Sequence, residues 1–404
     1  MTKEILPVDC VIFGGGVAGL FILHKCLALG HSAVLLESKS LGTGQTIDSQ
    51  GIIHGGLKYA ITGHNENSAT AIREMPLVWR RCLAGEATPD LSNVTLRSDF
   101  CHVWRTDSLR SKLGWFAAKL ALRTKPKVLD QDELPEAFHG LQGPVARLDE
   151  QVVEPRSLLE VLSHELDTNL IQTADGGVEV SKLDEGWLVQ LLHPETGDPL
   201  DLHAKKVVLS AGKGNVQLRD EFNLTPNKTQ DRPLHMVMVR GDLPVINGHC
   251  IDGAKTRVTI TTTKDYAGRS VWQVGGQLAE DGVNKTPEEL MSFAAKELQA
   301  VLPNVNLDHA ECITYKTTRA EQHMRGIRPT DISIIEENEV LTCWPTKLAF
   351  APRLADEVVA RMDPPSINDS TELSIFSSWP SPTVALSPWE TDQPWSPIEL
   401  TCSL

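Results

Sequence analysis

The chain has 404 residues and carries 38 Lys and Arg against 53 Asp and Glu, a formal net charge of −15. That length makes about two to three domains, and 41% apolar with 23% charged residues is a globular composition, which excludes a wholly disordered or fibrous chain. The acidic balance excludes a nucleic-acid partner held through its phosphates.

Eight Cys are scattered with no CxxC pair, which predicts free or buried thiols in a reducing, cytoplasmic setting and no zinc site. No apolar run reaches the ~18 residues that span a bilayer. The stretch Val11–Leu23 follows Asp9 and holds four Gly, so it reads as strand, turn and helix rather than a signal segment.

Val11-Ile12-Phe13 is a short β-branched run, followed at once by Gly14-Gly15-Gly16-Val17-Ala18-Gly19. A helical pattern from Leu20 to Leu29 stops at Gly30, and a second apolar run, Ala33–Leu36, ends in Glu37. This is βαβ with GxGxxG at the first turn, the pattern of dinucleotide binding. Gly14 permits the turn, Gly16 admits a pyrophosphate, and Gly19 lets helix pack on strand. The N–H groups of Val17 and Ala18 open a helix N-terminus that suits phosphate. Glu37 is placed to accept from ribose hydroxyls, with Ser38 next to it.

Ser38–Tyr59 then reads SKSLGTGQTIDSQGIIHGGLKY, rich in Gly and hydroxyls where a nicotinamide domain would continue into helix and strand. Such a stretch offers backbone N–H groups to a ligand lying along it. Farther on, Glu154–Leu166 reads as a helix opened by Pro155, and Val178–Leu183 with Trp187–Leu192 as a hairpin. Val207–Leu209 is a buried strand closed by Ala211-Gly212. Leu234–Arg240, Thr256–Thr263 and Ser270–Val274 are β-rich. Thr286 to Glu289 forms a capping box for a helix to Val301. Val340–Cys343 is a last short strand, and a helix after Pro352 runs to Met362. From Asp363 to Leu404 there are seven Pro, nine Ser, three Trp, six acids and no Lys or Arg. This is a tail, either partly disordered or laid over the domain, and its Trp favour docking.

Five stretches taken together resemble the FAD-dependent oxidoreductases of the D-amino-acid oxidase superfamily. They are GGGVAG with Glu37, SQGIIHGGLKY, KKVVLSAGKGN (205–215), RGIRPTD (325–331) and PTKLAFAPRLADEV (345–358). HGGLKY is most similar to the glycerol-3-phosphate dehydrogenase branch, and GIIH also to the L-2-hydroxyglutarate oxidase branch. The resemblance implies an α/β fold, α+β overall: a discontinuous Rossmann-like FAD domain (1–80, 151–230, 320–362) with an inserted antiparallel-sheet substrate domain (81–150, 231–319), then the tail. It implies non-covalent FAD held by Gly14, Gly16, Val17, Ala18, Gly19, Glu37, Ser38, Gly44, Gln45, Ser49, Gln50, Gly51, Ile53, Val178, Ala211, Gly212, Gly326, Thr346, Lys347 and Leu348.

Flavin dehydrogenation needs a base near the reacting carbon and cations for an anionic substrate. His54, between Ile53 and Gly55-Gly56, is the candidate base; a core or flavin-packing histidine is the other reading. Lys58 and Arg328 are candidate clamps for the substrate anion, with surface or salt-bridge roles as alternatives. Lys58 stands where the glycerol-3-phosphate branch carries Arg. Tyr59 is a candidate donor to substrate, or a packing residue. Lys347 is a candidate cation at the flavin N1/O2 edge or for substrate, or a surface residue. Relatives carry Gly before that Lys, and this chain has Pro345-Thr346.

Arg105–Lys127 is basic with interleaved aromatics. It is either a solvated helix face or a peripheral membrane contact that would suit a quinone. The expected activity is hydride removal from the C–H beside a hydroxyl of a small anionic substrate, a 2-hydroxy acid or glycerol 3-phosphate, with oxygen or quinone as acceptor. The alternatives are an amine or amino-acid oxidase, and a flavin-binding protein of reduced catalysis.

Overall fold

The computed structural model describes residues 5–56, 66–106, 127–164, 166, 168–252, 255–324, 329–366, 376 and 378–398. Two large sheets dominate. The first is built on parallel strands in the spatial order Val340–Trp344, Pro199–Leu209, Ile5–Phe13, Ala33–Glu37, Leu170–Gln172, with Ser333–Glu337 antiparallel at one edge. The hairpin Val178–Lys182/Trp187–Leu192 joins it along Pro199–Leu209.

Strand alternation explains its two cores. Cys10, Ile12 and Leu35 face the helices Val17–Ala28, Pro155–Ser163 and Ala351–Val359. Val11, Phe13, Val34 and Leu36 face the opposite side, where Trp187 and Phe222 pack edge-on at 4.7 Å.

Register decides where the loops emerge. Phe13 pairs with Leu36 and with Leu209, and Leu209 pairs with Thr342. The four strands therefore end at one level. Gly14, Glu37-Ser38, Ser210–Gly212 and Cys343–Thr346 leave the same sheet edge, the carboxyl end where α/β sheets bind ligands.

Among the described residues the second sheet has nine strands, mostly antiparallel. Its centre is the long pair Thr229–Gly241 and Glu311–Gln322, in register from Thr229 with Gln322 to Arg240 with Glu311. One face packs the helix Pro287–Val301, Trp104 and Trp272. That helix starts with the expected reciprocal cap: Glu289 N–H donates to Thr286 Oγ1 at 3.3 Å, and Thr286 N–H donates to Glu289 Oε2 at 2.9 Å.

The described part of the tail is laid over both sheets. Leu41 N–H donates to Thr383 O (2.7 Å) and Gln172 N–H to Pro380 O (2.8 Å) beside the first sheet. Ser396-Pro397 pairs with Glu311-Cys312 at the edge of the second. Phe376, Trp379 and Trp389 are buried, and the Arg240 guanidinium lies 4.2 Å from the Trp395 ring centroid. The helix Glu66–Leu83, which carries Pro76, is an element that the sequence pattern did not announce.

Candidate active site

A cleft of about 700 Å³ opens at the carboxyl edge of the first sheet, and residues of the second sheet close it. Most of the sequence-predicted residues line it: Gly14, Gly16, Val17, Ala18, Glu37, Ser38, Gly44, Gln45, Ser49, Gln50, Gly51, Val178, Ala211, Gly212, Thr346, Lys347 and Leu348, with His54. Gly19 stands behind the wall, where a Cβ would lie 2.1 Å from Gly14 O. Ile53 is fully buried in the core and does not line the cleft. Gly326, Arg328, Lys58 and Tyr59 lie outside the described residues, as does 107–126 of the basic stretch. At the end of that stretch Lys127 pairs with Glu133 at 2.5 Å.

The glycine turn is shaped from two sides. Gly14 has φ +104°, and its N–H donates to Leu36 O at 3.0 Å. Glu37 does more than wait for a ribose: Oε2 accepts from Gly15 N–H at 2.7 Å and Oε1 from Lys39 N–H at 2.8 Å. Its carboxylate ties the second strand's end to the glycine loop and retains further lone pairs. The N-cap Gly16 gives the helix Val17–Ala28 no side-chain cap and its first turn holds no acid; Val17 N–H donates to Thr46 Oγ1 at 3.2 Å, and the following N–H groups are left to face an anion.

Two amides bolt the 38–56 loop to the second sheet. Gln50 Nε2 donates to Thr259 O and Gln273 O at 3.1 and 2.8 Å. Gln45 Oε1 accepts from Ala320 N–H at 3.1 Å. The second sheet adds Leu234, Met236, Lys316, Thr318 and Arg319 to the wall, none of which the motifs singled out. Arg319 pairs with Glu280 at 3.5 Å.

Thr346 adopts φ +59°, a left-handed conformation costly for a β-branched residue. This is the position where the sequence departs from glycine, and the chain keeps the glycine-like backbone there.

His54 retains 40% of its side-chain surface, while its neighbour Glu150 is 4% exposed. His54 Nδ1 and His249 Nε2 each lie 3.6 Å from Glu150 Oε2, and Gly55 N–H donates to Glu150 Oε1 at 2.6 Å. Burial lowers the His54 pKa. Glu150 opposes this, and His249 and Lys347 add to the lowering. The imidazole is therefore neutral at pH 7 and able to take a proton. Burial alone would raise the Glu150 pKa, but the two imidazoles outweigh it and hold the carboxyl well below its usual range. Neither Glu150 nor His249 was read from the sequence.

Asp48, also on the cleft wall, is pushed up to about 6 by burial, against a hydrogen bond from Thr317 that lowers it. A carboxyl whose folded pKa exceeds its unfolded value favours the fold while protonated, so that contribution is lost as pH rises from about 3.8 to about 6. Asp48→Asn removes the buried charge. It should raise unfolding stability at pH 8 by roughly 2 kcal/mol and leave it nearly unchanged at pH 3, below the unfolded pKa. Urea unfolding at the two pH values checks this, and an equal gain at both would rule out charge as the cause.

The chain matches the family model described as FAD dependent oxidoreductase over residues 9–349. It is 37% identical over 393 residues to a probable FAD-dependent oxidoreductase of Pseudomonas aeruginosa, covering 96% of this chain and 98% of that protein. The crystal structure of a Pseudomonas aeruginosa FAD-dependent oxidoreductase superposes with a TM-score of 0.79 at 33% identity, over 96% of this chain and 99% of the other. A 214-residue stretch is 24% identical to one subunit of the anaerobic glycerol-3-phosphate dehydrogenase of Escherichia coli, covering 52% of this chain and 38% of that one. An FAD-bound L-α-glycerophosphate oxidase of Mycoplasma pneumoniae shares the fold with a TM-score of 0.61 at 13% identity, over 97% of this chain and 100% of the other.

The cleft passes a fit test for this cofactor on its own geometry. A Cβ on Gly44 or Gly212 would meet nothing within 4 Å, so both peptides stand open to a ligand. Ser49 Oγ and Thr346 Oγ1 are buried on the wall with no hydrogen-bond partner among the described residues, donors and acceptors that a polar dinucleotide can satisfy. The volume falls in the range of cofactor pockets. The chain belongs to the D-amino-acid oxidase family of FAD-dependent oxidoreductases, and FAD is its cofactor.

Proposed function

We propose that the protein oxidises the C–H beside a hydroxyl of a small anionic substrate, of the 2-hydroxy acid or glycerol 3-phosphate class, with FAD held non-covalently. The observation that carries this reading is a neutral, half-exposed His54 on the cleft wall, close enough to Lys347 that the ammonium lowers its pKa. The imidazole takes the hydroxyl proton, and FAD, when bound, would supply the hydride acceptor.

Lys347 serves as the cation on the flavin side, and Lys316 lines the same cleft. Arg328 and Lys58 are the proposed clamps on the substrate's anionic group. The similarity to an α-glycerophosphate oxidase of Enterococcus casseliflavus and to the Escherichia coli glycerol-3-phosphate dehydrogenase supports an alcohol over an amine. The proposed acceptor is oxygen or a quinone. No helix among the described residues is long and apolar enough to cross a membrane, so contact with a membrane quinone would be peripheral, through 105–127.

Anaerobic titration with glycerol 3-phosphate, L-2-hydroxyglutarate and D-amino acids tests the substrate class. Bleaching of the flavin band by a hydroxyl donor is expected. Bleaching by amines alone overturns the reading, and bleaching by no donor favours a flavin-binding protein without catalysis.

A further inference from the structure

We infer that Glu150 is a positioning residue that holds His54 as its Nδ1–H tautomer, so that Nε2 keeps a lone pair for the substrate hydroxyl, with His249 as the second support of the same carboxylate. The inference rests on His54 being the base, and deepens that reading.

Glu150 Oε1 is satisfied by Gly55 N–H at 2.6 Å, whereas Oε2 is buried and has no hydrogen bond among the described residues. An anionic oxygen withdrawn from water must be met by donors or its burial is costly. Among the described residues the nearby candidates are His54 Nδ1 and His249 Nε2, each at 3.6 Å. That separation is long for a hydrogen bond, and such contacts in unliganded sites often tighten when substrate binds.

The outer nitrogen of His249 is consistent with this role. Nδ1 lies 3.0 Å from Thr259 Oγ1, a hydroxyl that can donate to it, which leaves Nε2–H for Glu150. The two rings stack with centroids 5.6 Å apart and planes at 29°, and each presents a nitrogen to the same carboxylate oxygen. His54 completes the pattern by turning Nδ1–H to Glu150, which frees Nε2.

The chain's path builds this arrangement without help from the motif. An antiparallel bridge from Ile52 to Val152 and the bond from Ile53 N–H to Gln151 O (2.8 Å) lay 51–55 beside 150–153. Gly248, where a Cβ would lie 1.9 Å from His102 O, lets the His249 strand approach closely. Among the described residues, His249 and Lys347 act on His54, and Cys101 lies within electrostatic reach of Glu150.

Glu150→Gln is the informative change. Gly55 N–H keeps the amide oxygen on its side and turns the NH₂ towards His54 Nδ1, which then must accept. The proton moves to Nε2 and the base is blocked. With FAD still bound, flavin reduction should slow by roughly 10²–10⁴-fold. The acid limb of its pH profile should shift to lower pH, because the group that raised the His54 pKa is gone. Glu150→Asp should recover part of the rate.

Nitrogen-15 NMR of histidine-labelled holoprotein reads the tautomer without turnover. His54 protonated on Nδ1 in the wild type and on Nε2 in Glu150→Gln is expected. An Nε2–H wild type, or an unchanged tautomer in the variant, overturns the inference even if a hydroxyl donor reduces the flavin. The three ligand atoms also lie within 4.8 Å of one another, a spread a metal ion could occupy. One equivalent of transition metal in the purified holoprotein, lost in Glu150→Gln, likewise overturns it. If no donor reduces the wild type, the functional reading fails while the tautomer result stands on its own.

Discussion

His54→Ala is expected to slow flavin reduction by the hydroxyl donor by roughly 10²–10⁴-fold, the usual contribution of a positioned general base. That is about 3–5 kcal/mol of barrier. FAD content should stay near that of the wild type, because the glycine turn, Glu37 and the open helix end proposed to hold the dinucleotide are all elsewhere in the chain. The pH dependence separates chemistry from packing. In the wild type the base form grows as pH rises through a His54 pKa that burial sets below 6.5, so the rate should climb in acid and level off before neutrality. His54→Ala should lack that limb and rise only where hydroxide takes over the proton transfer. Stopped-flow reduction under anaerobic conditions across pH 5 to 9 makes the measurement. A variant that reduces at the wild-type rate with the same acid limb would remove His54 from the mechanism, and with it the proposed alcohol chemistry.

What the sequence announces about this site is what can be decided locally. Gly14 to Gly19 and Glu37 fall within one βαβ unit, so spacing alone carries them, and the capping box at Thr286 is legible for the same reason. The 38–56 loop is readable because its glycines and hydroxyls form a composition, and the family resemblance turns that composition into named positions. Glu150 lies 96 residues from His54 and His249 lies 195 away. Nothing near Asp149-Glu150-Gln151 marks the acid as functional until the Ile52–Val152 bridge brings it under Gly55.

The strand Glu311–Gln322 was missed for a different reason. Its burial follows no clean alternation, because one stretch supports a core and another forms the cleft wall. A single period cannot describe a strand with two tasks. The tail shows the reverse case. Its lack of period left order open, and its tryptophans signalled docking without saying where; Trp389 and Trp395 in fact meet Arg97 and Arg240 of the second-sheet side.

The cofactor should be most sensitive at Gly14. An alanine there faces two separate penalties. The backbone sits at φ +104°, where a side chain is strained by about 1–2 kcal/mol. The added Cβ would also lie 2.5 Å from Ala211 Cα and 2.7 Å from Ala211 N, and backbone cannot rotate aside as a side chain can. Overpacking of that kind costs typically 1–3 kcal/mol more. Relief comes only by moving the 210–212 turn away from the first strand, which widens the cleft where the loops after Phe13 and Leu209 converge. Gly14→Ala should therefore weaken FAD binding by roughly 10²–10³-fold, the affinity equivalent of about 3–4 kcal/mol. The purified variant should be nearly colourless. Gly197→Ala is the control: it shares the positive φ, at +73°, but a Cβ there meets nothing within 4 Å and the residue does not line the cleft. It should lose only the strain term in stability and keep its flavin. Titration of apoprotein with FAD, followed by flavin fluorescence, compares the two. If both variants bind FAD equally well, close approach of Ala211 is not what makes glycine necessary at position 14.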